Sequence, residues 1–136
     1  MKVIGWILAF LCGAGISAAA ADSTVTFTDS KKTVMLLPDH ARFTITLKSN
    51  PTTGYSWVVR RYNSRIIKPV GHQYHAPNSK LLGAPGYETF EFKASHKAFN
   101  VPQKTYLTLE YVRPWEAKVP GAETLTFTII TSGKKS

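Results

Sequence analysis

Strict alternation of apolar and polar residues is the property that most limits how this chain can fold. From Arg42 to Lys48, Phe43, Ile45 and Leu47 fall on one side and Arg42, Thr44, Thr46 and Lys48 on the other. The same period of two returns from Glu88 to Ala94, where Phe90 and Phe92 oppose Thr89, Glu91 and Lys93. It returns again in Thr105 to Val112, with Leu107, Leu109 and Tyr111 in phase, and in Leu125 to Ile129, with Leu125, Phe127 and Ile129 in phase. Successive side chains of an extended chain point to opposite faces, so each segment offers one face to a core and one to water. Thr24 to Thr28, around Val25 and Phe27, and Thr33 to Leu37 are shorter runs of the same kind. Tyr55 to Arg61 puts Tyr55, Trp57 and Val59 on one face, with Trp57 expected as the central core aromatic. Arg65 to Val70 reads as a short apolar segment and Tyr74 to Lys80, with Pro77 and Asn78, as looser chain. Lys97 to Gln103 reads as a connector and Ser132 to Ser136 as a frayed tail. No window carries apolar residues at helical spacing over three turns. Seven to eight short strands at regular spacing predict an all-β chain, an immunoglobulin-like Greek-key β-sandwich, with a small barrel as the alternative.

The N-terminus follows different rules. Lys2 precedes an apolar run from Val3 to Ile16 that ends in the small residues Ser17 to Ala21. This is the pattern of a secretory signal peptide over residues 1–21, cleaved after Ala21, and the run is short for a membrane span. A lipoprotein signal at Cys12 is disfavoured by Phe10 and Leu11 before it. Residues 22–136 then form one domain of 115 residues, exported to the periplasm or secreted, with no lasting membrane insertion. That domain contains no cysteine, so an oxidising compartment gives it no disulfide, and neither a cysteine nucleophile nor a thiolate metal site is available. Of 17 Lys and Arg only Lys2 lies in the leader, so 16 face 8 Asp and Glu, a net charge of +8. The basic residues are scattered in ones and twos (Lys31-Lys32, Arg60-Arg61, Lys134-Lys135). Scatter of that kind fits a solvated surface and an acidic protein partner, and argues against nucleic acid.

Three inter-strand loops stand apart by their chemistry. The first is Asn50-Pro51-Thr52-Thr53-Gly54-Tyr55. Pro51 fixes its own φ and holds Asn50 extended, the two threonines are stiff at χ1, and Gly54 supplies the positive φ of a sharp exit. Asn-Pro and Thr-Gly steps also occur in ordinary turns, so this loop alone indicates stiffness and no more. The second is Gly83-Ala84-Pro85-Gly86 and the third begins Arg113-Pro114-Trp115-Glu116 and runs to Gly121. Trp115 has left the alternating core pattern of the preceding strand, which makes it either a binding anchor or a ring folded over the sandwich edge. Arg113 is free for a partner or pairs with Glu110 or Glu116. Alternate loops of a sandwich emerge at one end, so the three can share a surface.

In order and spacing these loops resemble those of the chagasin-like family of cysteine protease inhibitors, whose marks are N-P-T-T-G-Y, a glycine-rich G-x-G-G loop and R-P-W. The first and third are complete here, in Asn50 to Tyr55 and Arg113 to Trp115. The second departs, because Pro85 stands at the family's third, glycine position. The resemblance spans essentially the whole domain. It implies an immunoglobulin-like sandwich that inhibits papain-like cysteine proteases, endogenous or foreign, reversibly and without covalent chemistry, as a monomer with no cofactor. It further implies that Thr52 and Thr53 sit nearest the enzyme's catalytic cysteine and histidine, flanked by the second and third loops. Pro85 lacks an N–H, so any bond made through that amide in relatives has no counterpart.

Rival readings are weaker on the residues. There is no G-x-S-x-G and no H-E-x-x-H, and Glu88, Glu91, Glu110, Glu116 and Glu123 fall mostly on outward strand positions or in loops. His72 and His75 lie three apart, on opposite faces of an extended chain, and read as surface residues and not as a metal pair. An exported carbohydrate-binding module, stacking sugars on Trp115 and Tyr87, is the other alternative. Two threonines at the tip of the first loop offer no stacking surface and suit a narrow cleft.

Overall fold

The computed structural model describes residues 25–78, 80–81, 83–116 and 120–133. The expected signal peptide, its cleavage site, the start of the Thr24 segment and the last three residues of the tail lie outside the described residues. Eight strands form among those described: β1 (Val25–Phe27), β2 (Val34–Leu36), β3 (Arg42–Ser49), β4 (Ser56–Arg61), β5 (Ile67–His75), β6 (Gly86–Ala94), β7 (Gln103–Val112) and β8 (Glu123–Thr131). They make two four-stranded sheets, β1-β3-β6-β5 and β2-β8-β7-β4, so the chain is the all-β sandwich its alternation predicts. Among the described residues two short 3₁₀ turns, Pro51–Thr53 and His96–Phe99, interrupt the extended chain. Pairing is antiparallel except where β1 lies parallel to β3 and β2 parallel to β8.

The in-phase residues meet between the sheets. Phe43, Ile45, Phe90 and Phe92 from one sheet bury against Leu107, Leu109, Phe127 and Ile129 from the other. Phe43 stacks on Phe92 with ring centroids 5.2 Å apart, and Phe27 meets Phe43 edge-on at 6.5 Å. Each fully buried aromatic or aliphatic side chain here contributes about 1.5–3 kcal/mol of transfer free energy, which is what holds a domain without disulfides together.

Two local expectations change. Trp57 is buried, yet the fully buried large side chains are Phe43, Phe92 and Phe127. Trp57 is the second residue of β4, which places it at the loop end of the core, where its indole Nε1 donates to the Lys48 carbonyl at 2.9 Å and its ring tilts against Tyr111 at 5.1 Å. Its role is to tie the first loop to the core. The second change is β5, which absorbs what reads in sequence as a short segment followed by looser chain. Pro69 and Gly71 suggest a break, but β5 is an edge strand, where an absent N–H on the free side costs no ladder bond. A register shift between Pro69 and Gly71 accommodates them, after which pairing continues to His75 opposite Tyr87.

Register also fixes where the loops emerge. Ser49, last in β3, pairs with Gly86, first in β6; Val112, last in β7, pairs with Ser56, first in β4; His75 pairs with Tyr87, and Tyr111 with Glu123. The β3–β4, β5–β6 and β7–β8 connections therefore leave the sandwich at the same end.

Candidate functional site

The first loop is built almost entirely from bonds to itself and to the sandwich beneath it. Pro51 to Thr53 forms a 3₁₀ turn in which the Thr53 N–H donates to the Asn50 carbonyl at 3.2 Å and the Gly54 N–H to the Pro51 carbonyl at 2.9 Å. The Thr53 hydroxyl donates to the same Asn50 carbonyl at 2.7 Å, and the Thr52 hydroxyl to Asn50 Oδ1 at 2.5 Å. Both hydroxyls are thus engaged inside the loop, at a tip where Thr52 and Thr53 are exposed. Gly54 ends the turn at φ +81° and ψ −6°, a left-handed conformation that a side chain resists.

The other two loops lean on this one. Asn50 Nδ2 donates to the Gly83 carbonyl at 3.3 Å, which joins the first loop to the second. The indole of Trp115 lies against Gly54: a Cβ there would stand 2.7 Å from Trp115 Cη2, so glycine is needed for space as well as for φ. The guanidinium of Arg113 covers the Tyr55 ring at 4.8 Å and its Nη1 reaches Glu116 Oε1 at 3.1 Å. Of the two acids open to Arg113, it takes Glu116, while Glu110 pairs with Arg60. Trp57, Tyr111 and Tyr55 continue this column of rings, with Tyr111 5.1 Å from Trp57 and 5.5 Å from Tyr55. Trp115 itself remains 72% exposed. The ring thus shields Gly54 and offers most of its surface to solvent, and it is not folded over the core.

In the second loop, Gly83 takes φ +81° with open space around it, and the Ala84 N–H closes a turn onto the Leu81 carbonyl at 3.3 Å. Pro85 is exposed. Gly86, grouped with this loop by its motif, is the buried first residue of β6; a Cβ there would come within 2.3 Å of the His75 carbonyl and 2.5 Å of the Tyr74 hydroxyl. Its need for glycine is structural. All three loops are brought together, although residues 117–119 of the third lie outside the described part.

Beneath the first loop lie residues that pattern alone left unassigned. The Asn50 N–H donates to the Tyr111 hydroxyl at 3.0 Å. Glu88, expected on an outward or loop position, is 2% exposed and inward. Its phase with Phe90 and Phe92 was the signal, masked by its charge. One of its oxygens, Oε1, accepts from the Ser49 hydroxyl at 2.5 Å and from the Trp57 N–H at 3.2 Å, and the other stands 2.9 Å from His72 Nε2. His72, although exposed, also stacks on Phe90 at 4.4 Å.

This geometry predicts the effect of Gly54→Ala. The left-handed φ costs a side chain about 1–2 kcal/mol, and the new methyl must displace the Trp115 ring. Urea unfolding should show a stability loss of that size together with a shifted Trp115 indole resonance. An unchanged unfolding midpoint and spectrum would mean that the loop does not hold this conformation.

The sequence and fold have known counterparts. The model of the chagasin family of peptidase inhibitors, I42, matches residues 37–129. Chagasin from Trypanosoma cruzi is 34% identical over 86 residues, which span 60% of this chain and 74% of chagasin. Among solved structures, the crystal structure of the cysteine protease inhibitor EhICP2 from Entamoeba histolytica superposes with a TM-score of 0.61 at 23% identity, over 79% of this chain and 95% of that one. The solution structure of amebosin does so with a TM-score of 0.54 at 23% identity, over 82% and 96%. At those identities the two structures speak for a shared sandwich.

Proposed function

The chain belongs to the chagasin family of peptidase inhibitors, and we propose that it inhibits papain-like cysteine proteases reversibly by filling their active-site cleft with the three loops. It is an inhibitor and not an enzyme. One observation carries the mechanism: Asn50 bonded to Gly83, and Trp115 seated on Gly54, turn three separate connections into one continuous surface. The Pro51–Thr53 turn projects from the middle of it as a wedge, with Thr52 and Thr53 at the tip.

The turn resists cleavage for physical reasons. Proteolysis needs the substrate peptide extended across the nucleophile and the oxyanion donors. A 3₁₀ turn whose N–H groups and hydroxyls are already bonded to Asn50 and Pro51 presents a curved backbone and cannot be drawn straight without losing those bonds. Because the turn is ordered before binding, little conformational entropy is lost on docking. Trp115 and Pro114 on one side, with Gly83 to Pro85 on the other, would grip the two walls of the cleft. The net charge of +8 over residues 22–136 would speed encounter with an acidic protease, an effect that fades with salt. The leader-like residues 1–21 support export, so that the protease met is a periplasmic or external one.

Titrating papain with purified residues 22–136 tests this reading. Competitive, reversible loss of peptide hydrolysis is expected, with the inhibitor recovered intact by mass spectrometry. Undiminished hydrolysis at micromolar inhibitor would sink it.

A further inference from the structure

We infer that Glu88 is the positioning residue of the inhibitory wedge: a single buried carboxylate that clamps both ends of the 50–55 loop. The inference deepens the proposed function and rests on it for its inhibitory readout, though not for its structural one.

The chain enters the loop from Ser49 and leaves it through Ser56 into Trp57. Ser49 ends β3 in one sheet, and Trp57 lies at the start of β4, an edge strand of the other sheet. Those two points are where the loop could open like a hinge. Glu88 Oε1 accepts from both, from the Ser49 hydroxyl at 2.5 Å and from the Trp57 main-chain N–H at 3.2 Å. The Trp57 indole closes the same gap a second time, by its bond to the Lys48 carbonyl. An edge strand directs alternate N–H groups away from its ladder. The Trp57 N–H is one of these, and the carboxylate satisfies it.

A carboxylate suits this position better than any apolar residue. Glu88 is 2% exposed and Ser49 is likewise buried, so the donors have no water to fall back on. Hydrogen bonds to an ionised acceptor are shorter and stronger than neutral ones, and one oxygen with two lone pairs can serve two donors. The second oxygen is held by His72 Nε2 on β5, and the His72 ring is in turn fixed by stacking on Phe90. Both carboxylate oxygens are thus engaged, one by the loop ends and one by His72. An apolar residue in this phase of β6 would fill the core equally well, yet it would leave the Ser49 hydroxyl and Trp57 N–H buried without acceptors. A carboxylate at a core position where a leucine would pack is explained by what it holds.

Three variants test the inference. Glu88→Leu keeps the bulk and removes the acceptors. Glu88→Gln keeps an acceptor oxygen for Ser49 and Trp57 and offers an amide donor to the imidazole of His72. Ile129→Val, at the far end of β8, destabilises the core away from the loop. Amide hydrogen exchange of the free protein should show Thr53 and Gly54 at least tenfold faster in Glu88→Leu, close to wild type in Glu88→Gln, and unchanged in Ile129→Val. Against papain, Glu88→Leu should inhibit at least tenfold more weakly and be cut within Asn50 to Tyr55 on prolonged incubation, while wild type and Glu88→Gln stay whole. Exchange in Glu88→Leu within twofold of wild type would overturn the inference, as would equal loosening in Ile129→Val. If Glu88→Leu does not fold, Ser49→Ala, which removes one anchor, decides by the same exchange measurement: faster Thr53 and Gly54 amides support the clamp, unchanged ones refute it. Failure of wild type to inhibit papain would refute the inhibitory reading and leave the exchange result to decide the clamp.

Discussion

Trp115→Ala is expected to raise the inhibition constant against papain about thirtyfold or more, a loss of about 2 kcal/mol, while the unfolding midpoint hardly moves. The reasoning starts from burial. The indole is 72% exposed in the free protein, and the contact identified beneath it is with Gly54, so its removal leaves the core of Phe43, Phe92 and Phe127 untouched. A rigid aromatic that already has its orientation set by a glycine below, with Pro114 before it and Arg113 held over Tyr55, loses little freedom when a partner covers its outer face. Such residues dominate interface energetics when they enter a dry pocket. An unchanged inhibition constant would remove Trp115 from the interface. A collapsed midpoint would make the side chain part of the fold.

Thr53→Glu should cost more, about 3 kcal/mol or over a hundredfold in affinity, because it carries an unpaired charge into the part of the cleft from which water is excluded. The same change costs the free protein little. Thr53 is exposed, and its side chain gives up one hydrogen bond, to the Asn50 carbonyl, worth about 1 kcal/mol. Thermal unfolding should therefore shift by only a few degrees. A domain that unfolds far below wild type, or an inhibitor that binds as tightly as before, would contradict a wedge with Thr53 at its tip.

The two substitutions separate because fold and site are written in different parts of the chain. The sandwich was legible in the period-two runs of β3, β6, β7 and β8, whose inward residues are the buried ones. The loops were legible as interruptions of that period: Trp115 stood out because it broke phase, and the stiffness of Asn50 to Tyr55 followed from Pro51 and two β-branched threonines. What sequence pattern could not give is set by neighbours. The strand through Pro69 and Gly71 exists because it is an edge, and nothing local says that a segment will lie at an edge. Glu88 is one of five acids expected mostly at outward or loop positions, although it shares the inward phase of Phe90 and Phe92, and only the arrival of Ser49, Trp57 and His72 from three other strands makes that position tolerable. The parallel pairing of β1 and β2 with β3 and β8 is likewise a matter of long-range register. Gly86 illustrates the converse. A motif groups it with the second loop, but the structure requires it because the His75 carbonyl leaves no room for a methyl group.

Under the proposed mechanism the Pro51–Thr53 turn would occupy the space in front of the enzyme's nucleophile without reacting. The rate at which iodoacetamide alkylates the catalytic cysteine of papain, measured with and without saturating inhibitor, tests this most directly. The predicted result is strong protection in the complex, reversed when the inhibitor is diluted away, with Thr53→Glu giving no protection at the same concentration. A cysteine alkylated as fast in the inhibited complex as in free papain would contradict it.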